Sequence, residues 1–483
     1  MYIGIDLGST NIKAAVYDGK MNLVDRKSKG VEYIRENGFV EFNAEEYCQT
    51  LLCLLKEMFK QNNIKEVKHI AFTGQAETLV IINKDGKPLT NAVSWMDERS
   101  SEECKVLEKQ FTARECEAVT GQQAILPTWP ATKILWFKNN RQEIFNNADC
   151  YMLLKDYVVY FLTGKKFSDM SIATFSFYFD IYNKCYWQKM LNAIGITENQ
   201  LPPLCEPCTT VGEIKAETAK ELGIFGGTKV NVGTLDHFAG MIGTANVNGD
   251  GVTLSTGTVM AMAVQAKEQK NKNLGVAMHY GFLPNTHIML PVAESGGVSL
   301  EWFKTNCLNA DYDTLNKVLA ERKKPDILFL PYLVGTNAPE FHTNATGVFW
   351  GLRGEHDAFD MAYAVMEGVA FVLKKNCDAI KEKGTNPNCI IATGGGAKSD
   401  IWCQLQADIT GLPIKIPAEK EAACLGAAII ALVADGVFEN FQQATKNIAF
   451  VREFTPNQSE ELKVKYRKFN ELYNASLKIA DIK

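Results

Sequence analysis

No stretch of the 483-residue chain approaches the ~18 consecutive apolar residues that a bilayer-spanning helix requires. No basic n-region or cleavage site precedes the first strand-like segment, so a cytoplasmic protein with no membrane partner is expected. An excess of positive charge is also missing. The formal net charge is -5, which removes the electrostatic case for nucleic acid or an anionic membrane surface as a partner. Thirteen cysteines are present, but Cys205 and Cys208 form a C-x-x-C pair without the second pair or nearby histidines that a zinc site needs. Reduced thiols are therefore expected. Cys48, Cys53, Cys403 and Cys424 lie within apolar helical patterns and are read as small hydrophobes. The pattern G-x-x-x-x-G-K-[ST] is absent too. Gly19-Lys20, Gly86-Lys87 and Gly164-Lys165 all fail it, which excludes a Walker-type phosphate loop.

What the chain does have begins at its first residues. Ile3, Ile5 and Leu7 alternate on one arm and Ile12, Ala14 and Val16 on a second, which predicts a half-buried hairpin. Its turn is Leu7 to Asn11. Gly8 permits close backbone approach, Ser9, Thr10 and Asn11 supply donors, and Asp6 stands just before them. This is a phosphate-sized turn with a carboxylate beside it, suited to holding Mg²⁺ through water. An ordinary hairpin ending in an Asp is the bland alternative.

Hydrophobic residues make up 46% of the chain, enough for several cores, and the length suggests about two to four domains. A helix is predicted over Ala44 to Lys60, a strand over Val67 to Thr73, and a hairpin from Thr78 to Trp95 around Lys84 to Pro88. Further helices fall near 100–110, 131–139 and 153–163, and a strand at Val230 to Leu235. The opening pattern then returns over Gly251 to Val264, and aligning Gly8 with Gly257 superposes the apolar arms. A third turn, Thr393 to Lys398, carries three consecutive glycines between a strand at 389–392 and a helix at 399–410. Two similar α/β domains facing one cleft, divided near residue 245 into 1–245 and 246–483, would account for all three turns. Ser459 to Ile479 reads as a closing amphipathic helix whose charged face is solvated.

Two further constellations carry chemistry. Asp236 falls at a strand end and helix start, where a carboxylate is either an N-cap or an acceptor of a proton from a substrate hydroxyl. With two hydroxyl-rich turns in the same chain, the second role gains weight, because phosphoryl transfer needs phosphate cradles plus a base. Gly74 to Thr78 and Trp95 to Arg99 offer Gln75, Glu77, Trp95, Asp97 and Arg99 around the second hairpin. Convergent polar groups beside an aromatic wall suit a polyhydroxylated ligand; a salt-bridged surface hairpin is the alternative.

Together these residues closely resemble the FGGY family of carbohydrate kinases, within the actin-like ATPase superfamily, over nearly the whole chain. Gly347 to Glu367 fits the family's second signature throughout, and Pro130 to Asn140 fits the first apart from Thr128 at its opening position. The resemblance implies two actin-like (ribonuclease H-like) domains with a duplicated core facing an interdomain cleft. It implies ATP and Mg²⁺ as cofactors, a small-molecule sugar or polyol as substrate, and allows a homodimer. By matched position, Asp6 resembles the Mg²⁺-associated carboxylate, and Gly8, Ser9, Thr10 and Lys13 the first phosphate turn. Asp236 resembles the base, and Thr256, Gly257 and Thr258 the second phosphate turn. Gly297 resembles a nucleotide-contacting glycine, and Gly395, Gly396 and Asp400 the adenosine pocket, where glycerol kinases usually have Asn at the last position. Gln75, Ala76, Glu77, Trp95, Asp97, Arg99, Asp236 and His237 fall at the sugar. Ala76-Glu77 replaces the Arg-Glu of glycerol kinases and the Met-His of xylulose kinases, and His237 stands where many pentulose kinases have Asn. A pentulose such as xylulose or ribulose is the first expectation. A polyol such as glycerol or erythritol, or gluconate bound through Arg99, is the alternative. A non-metabolic actin-like ATPase, whether chaperone or filament, would share the hairpins but need no such pocket.

Overall fold

A hairpin of apolar alternation starts a six-stranded sheet, one of six among the described residues. The computed structural model describes residues 1–266, 276–480 and 482. In it, β1 (Tyr2–Leu7) pairs antiparallel with β2 (Asn11–Tyr17), and β2 with β3 (Leu23–Gly30). Helix α1 (Ala44–Gln61) leads to β4 (His69–Gly74), which lies parallel to β1. Helix α2 (Pro130–Asn140), β5 (Thr210–Glu213), β6 (Lys229–Asn231) and α3 (Asp236–Gly243) complete the elements that matter for the site. The sheet order is β5-β6-β4-β1-β2-β3. Asn43 caps α1 by accepting from the amides of Glu45 and Glu46, and Leu51, Leu55 and Met58 bury its inner face against the sheet. Cys48 lies in that core, but Cys53 is exposed, because the inward positions beside it are already held by Leu51, Leu52, Leu54 and Leu55.

The first compact unit comprises Met1–Val247, Ala277–Ile288 and Glu421–Asn447. Its late segment contributes the helix Ala422–Ala434, which packs against β1 and α3 backbone to backbone. Glycine makes this approach possible. A Cβ at Gly4 would meet the Cys424 carbonyl oxygen at 1.9 Å, at Gly243 that of Ala422 at 1.9 Å, and at Gly426 that of Ala239 at 1.9 Å.

The second unit comprises Asn248–Val276, Met289–Lys420 and Ile448–Lys483. Here β7 (Gly251–Thr256) pairs antiparallel with β8 (Met260–Gln265), and β8 with β9 (Val292–Ala293). Helices α4 (Gly297–Cys307) and α5 (Ala358–Glu382) precede β10 (Cys389–Gly394), which lies parallel to β7. Helix α6 (Asp400–Thr410), β11 (Ile414–Pro417), β12 (Phe450–Phe454) and α7 (Glu460–Ala480) follow. β10 is parallel to β11, and β11 antiparallel to β12.

The two sheets repeat one plan. In each, a hairpin's first strand lies parallel to a distant strand, and that strand parallel to another. The registers repeat as well: Asp6 is opposite Thr73 and Leu7 opposite Gly74, as Ser255 is opposite Thr393 and Thr256 opposite Gly394. The echo between the two hairpins in the sequence is therefore a duplicated α/β core. Two expectations need correction. The strand expected over Val230 to Leu235 ends at Asn231, and Gly233 turns the chain with φ +68°. The charged pattern of α7 is not all solvated either. Lys465 is buried, 2.5 Å from Glu367 and donating to the Pro325 carbonyl at 2.7 Å.

Candidate active site

In the first unit the end of β1 gathers charge. Asp6 is half-buried, and its cross-strand neighbours are Lys13 and Thr73. Burial, then the facing charge of Asp236, lifts the Asp6 carboxyl to about 7; Lys13 opposes the rise and Glu421 adds to it. Lys13 Nζ lies 2.7 Å from Glu421 Oε2. Burial works against the Lys13 cation, but the bond to Glu421 outweighs it and holds the ammonium above its ordinary value. Gly8, Ser9 and Thr10 form the adjoining turn, with the Gly8 carbonyl accepting from Tyr47 Oη at 3.1 Å. Asp236 opens α3, and its Oδ1 accepts from the His237 amide at 2.6 Å. His237 faces His279, which burial drives down to about 3 and which stacks on Phe175 at 4.5 Å.

The hairpin residues divide into two groups. Gln75 is buried; its Oε1 accepts from Thr78 Oγ1 at 2.8 Å. Its Nε2 has no hydrogen-bond partner among the described residues, and the Tyr33 hydroxyl lies beside Gln75 and Ser94. Ala76 and Glu77 are half-buried, and Glu77 takes a left-handed backbone with φ +64°. Lys133 of α2, fully buried, donates to the Glu77 carbonyl at 3.2 Å and the Ser94 carbonyl at 2.7 Å. Burial pushes the Glu77 carboxyl up and the Lys133 ammonium down, each opposed by the other's charge, and Thr128 bonds the carboxylate. Trp95 stays 40% exposed, available to a ligand.

Asp97 and Arg99 are engaged with the protein instead. Arg99 Nε is 2.7 Å from Asp97 Oδ1, and one of its amino groups lies 2.6 Å from Glu41 Oε1. The guanidinium stacks over Phe39 at 4.0 Å and Trp136 at 4.9 Å. Asp97 is fully buried and also accepts from the Val40 amide at 2.6 Å. Despite burial, these bonds hold its carboxyl below the ordinary range.

The second unit brings the glycine turns together. Gly297 donates its amide to the Gly257 carbonyl at 2.8 Å, and Val298 to the Thr258 carbonyl at 3.1 Å, so the start of α4 is sewn onto the turn after β7. Gly396 lies against Thr256, whose side chain a Cβ there would meet at 3.0 Å, and a Cβ at Gly395 would lie 3.7 Å from the Thr256 carbonyl. Thr256, Gly257, Thr258, Gly297, Gly395 and Gly396 thus form one cluster. Asp400 opens α6, exposed and ion-paired with Arg452, which also donates to the Ala397 carbonyl at 2.7 Å. A groove of about 560 Å³ beside α7, lined by Phe371, Asp408 and Tyr466 among others, holds none of the candidate residues. Cys205 and Cys208 are free thiols raised by burial, and no cluster of metal ligands is found among the described residues.

Glu421, Lys133, Glu41 and Arg452 are site neighbours that the sequence does not single out. Only Lys133 left a local signal, as a cation inside the otherwise buried run Pro130 to Phe137.

Fold and site together define a phosphotransferase with an alcohol group as acceptor. The N-terminal domain of the FGGY family of carbohydrate kinases matches residues 1–243 and the C-terminal domain residues 229–434, and the chain belongs to this family, with its actin-like fold. It is 31% identical to a xylulose kinase of Staphylococcus epidermidis, over 99% of this chain and 96% of that one. The ligand-bound xylulose kinase of Lactobacillus acidophilus superposes with a TM-score of 0.88 at 26% identity, covering 99% of this chain and 97% of that one. The gluconate kinase of Lactobacillus acidophilus superposes with a TM-score of 0.89 at 26% identity, covering 99% and 98%. No helix among the described residues is long and apolar enough to cross a membrane.

Proposed function

We propose that this chain transfers the γ-phosphoryl group of ATP to a hydroxyl of a neutral ketose, with xylulose as the leading substrate, and that it works in the cytoplasm. Asp236 orients the attacking hydroxyl and takes its proton. The observation that carries this reading is the pair of carboxylates, Asp236 at the start of α3 and Asp6 at the end of β1, close enough for the charge of Asp236 to add to the burial that lifts Asp6 to about 7. The negative charge gathered there fits Mg²⁺ of the kind held by one or two carboxylates, phosphate oxygens and water. Asp6 would hold it, and when bound the ion neutralises charge on the transferring group.

Gly8, Ser9, Thr10 and Lys13 approach the phosphates, with Thr256, Gly257 and Thr258 as the equivalent turn of the second unit. Gly297, Gly395, Gly396 and Asp400 contact the nucleoside side. Gln75, Ala76, Glu77, Trp95 and His237 line the sugar. The unpartnered Gln75 amide is a donor that a sugar hydroxyl would satisfy. Asp97 and Arg99 act on the sugar indirectly, by fixing the loop after Trp95.

Charge supports this choice of substrate. Arg99 is taken up by Asp97 and Glu41, and Lys133 is buried on the carbonyls of Glu77 and Ser94. A gluconate carboxylate would meet Glu77 without a free cation from either residue, whereas a neutral ketose meets no such repulsion. The resemblance to xylulose kinases supports the same choice. The test is ADP release measured over xylulose, ribulose, glycerol, erythritol and gluconate, for the parent and for Asp236→Asn. Xylulose is expected to give the highest kcat/KM, and Asp236→Asn to lose at least about 1,000-fold in kcat while still binding nucleotide. Preference for gluconate would overturn the substrate, and near-parental turnover by Asp236→Asn the base.

A further inference from the structure

The four residues that deliver the chain from β6 into α3, Val232 to Leu235, are bonded at every peptide group. The Val232 amide donates to the Thr209 carbonyl at 3.0 Å and the Thr234 amide to the Phe72 carbonyl at 3.3 Å. The Gly233 carbonyl accepts from the Cys208 amide at 2.8 Å, and the Leu235 carbonyl from the Ala239 amide at 2.8 Å. The other four groups are held by side chains. Asn231 Oδ1 accepts from the Gly233 amide at 2.8 Å, and Thr73 Oγ1 donates to the Thr234 carbonyl at 2.8 Å. Lys155 Nζ donates to the Val232 carbonyl at 2.8 Å, and Ser171 Oγ accepts from the Leu235 amide at 3.3 Å.

The last two belong to one buried relay. Lys155 is ion-paired with Asp169, and Asp169 Oδ1 accepts from both the Ser171 amide, at 3.0 Å, and the Ser171 hydroxyl. The Ser171 proton is therefore directed at Asp169, leaving its lone pairs to accept from Thr234 Oγ1 at 2.7 Å and from the Leu235 amide, the last peptide before Asp236. Lys155, Asp169, Ser171 and Thr234 are all at most 1% exposed. An apolar cluster of similar volume is often as stable as a buried ion pair, so stability alone does not call for these charges. What they supply is direction: a fixed hydroxyl orientation against a segment that glycine has bent.

We propose that Lys155, Asp169 and Ser171 are positioning residues for phosphoryl transfer, a relay that fixes the Val232–Leu235 turn and so aims the Asp236 carboxylate at the acceptor hydroxyl. The inference rests on Asp236 as base. A displacement of about 1 Å at a reacting group costs on the order of 100-fold in rate, so a relay that lets Asp236 drift lowers kcat more than it alters binding.

Four variants test it, with the sugar that the parent protein phosphorylates fastest as acceptor: Ser171→Ala, Thr234→Val, Thr234→Ser and Asp236→Asn. Steady-state kinetics and a thermal melt are read for each. Ser171→Ala and the isosteric Thr234→Val are expected to lower kcat about tenfold with both KM values within about twofold. Thr234→Ser, which keeps the hydroxyl, restores the parental rate. Parental kcat in Ser171→Ala and Thr234→Val beside an inactive Asp236→Asn would overturn the relay and leave the base standing. Parallel losses of kcat, KM and melting temperature without rescue by Thr234→Ser would also overturn it, as the mark of a structural role. An active Asp236→Asn would overturn the base itself.

Discussion

Lys13 and Glu421, 408 positions apart in sequence, meet at 2.7 Å, so the first hydroxyl-rich turn is tied to the helix Ala422–Ala434 by an ion pair. Both side chains remain 35% exposed, so the pair contributes little to stability on its own. Its significance is electrostatic. Glu421 satisfies the Lys13 cation beside Asp6 and adds negative charge to the same neighbourhood, where it raises Asp6 further.

The first prediction follows from that pair. If Lys13 approaches a nucleotide phosphate, Glu421 competes for it. Lys13→Met is expected to weaken ADP binding by about 10- to 100-fold, the loss of a charge-assisted bond. Glu421→Gln keeps a hydrogen-bonding partner but removes the competing charge, and is expected to strengthen ADP binding by about threefold. Isothermal titration with ADP at fixed salt checks both. Weaker binding by Glu421→Gln would mean that Glu421 holds Lys13 in place rather than competing for it.

Asp6 gives a second prediction with a definite sign. Its carboxyl lies at about 7 in the folded chain, against about 3.9 when unfolded. The folded state thus holds the proton more tightly. The contribution of Asp6 to stability is fully present below pH ~4 and is lost as pH rises through 7, beyond which the ionised group opposes folding. Asp6→Asn is therefore expected to match the parent near pH 4 and to exceed it by about 2 kcal/mol at pH 8 in metal-free urea denaturation, with the gap opening between those values. Because a metal ligand must be deprotonated, Mg²⁺-dependent ADP binding by the parent should weaken about tenfold per unit below pH 7. A stability gap independent of pH would show that Asp6 is not raised.

Arg99 was read from the sequence as a cation for a substrate carboxylate, and the structure surrounds it with Asp97, Glu41, Phe39 and Trp136. Arg99→Lys keeps the charge but loses the fork that reaches both carboxylates. It is expected to cost about 1–3 kcal/mol in chemical denaturation, while the ratio of kcat/KM for xylulose to that for gluconate stays within about twofold. A tenfold change in that ratio would return Arg99 to the substrate.

The limits of the sequence reading follow the range of the interactions. The hairpin Tyr2 to Tyr17 and its echo at Gly251 to Val264 are legible because alternation and turn chemistry are local, and the structure pairs both as expected. Asp236 was legible as a junction residue. The four residues before it are expected from sequence as the end of a strand over Val230 to Leu235. What turns them is Gly233 at positive φ and bonds from Thr73, Lys155 and Ser171, none of which is near in sequence. Glu421 is a similar case: a charge's partner across hundreds of residues leaves no trace in local pattern. The burial of Arg99 depends on Glu41 and Phe39 arriving from another strand, so a cation that looked available in sequence is engaged in the fold.

The second unit offers a steric prediction. A Cβ at Gly297 would stand 2.5 Å from the Gly257 carbonyl oxygen, a backbone atom that cannot swing aside, while at Gly257 itself nothing lies within 4 Å. Gly297→Ala must push the start of α4 away from the turn and break the 2.8 Å bond that joins them. The turn then loses the support that holds Thr256, Gly257 and Thr258 together. The KM for ATP is expected to rise at least about tenfold, whereas the KM for sugar, whose candidate residues all lie in the first unit, should change less than about twofold. The melting temperature should fall by no more than the few degrees that about 1–2 kcal/mol represents in a domain of this size. Steady-state kinetics with each substrate varied in turn decides it. An unchanged KM for ATP would separate Gly297 from nucleotide binding, and an equal rise in both KM values would show that the variant disturbs more than the turn it touches.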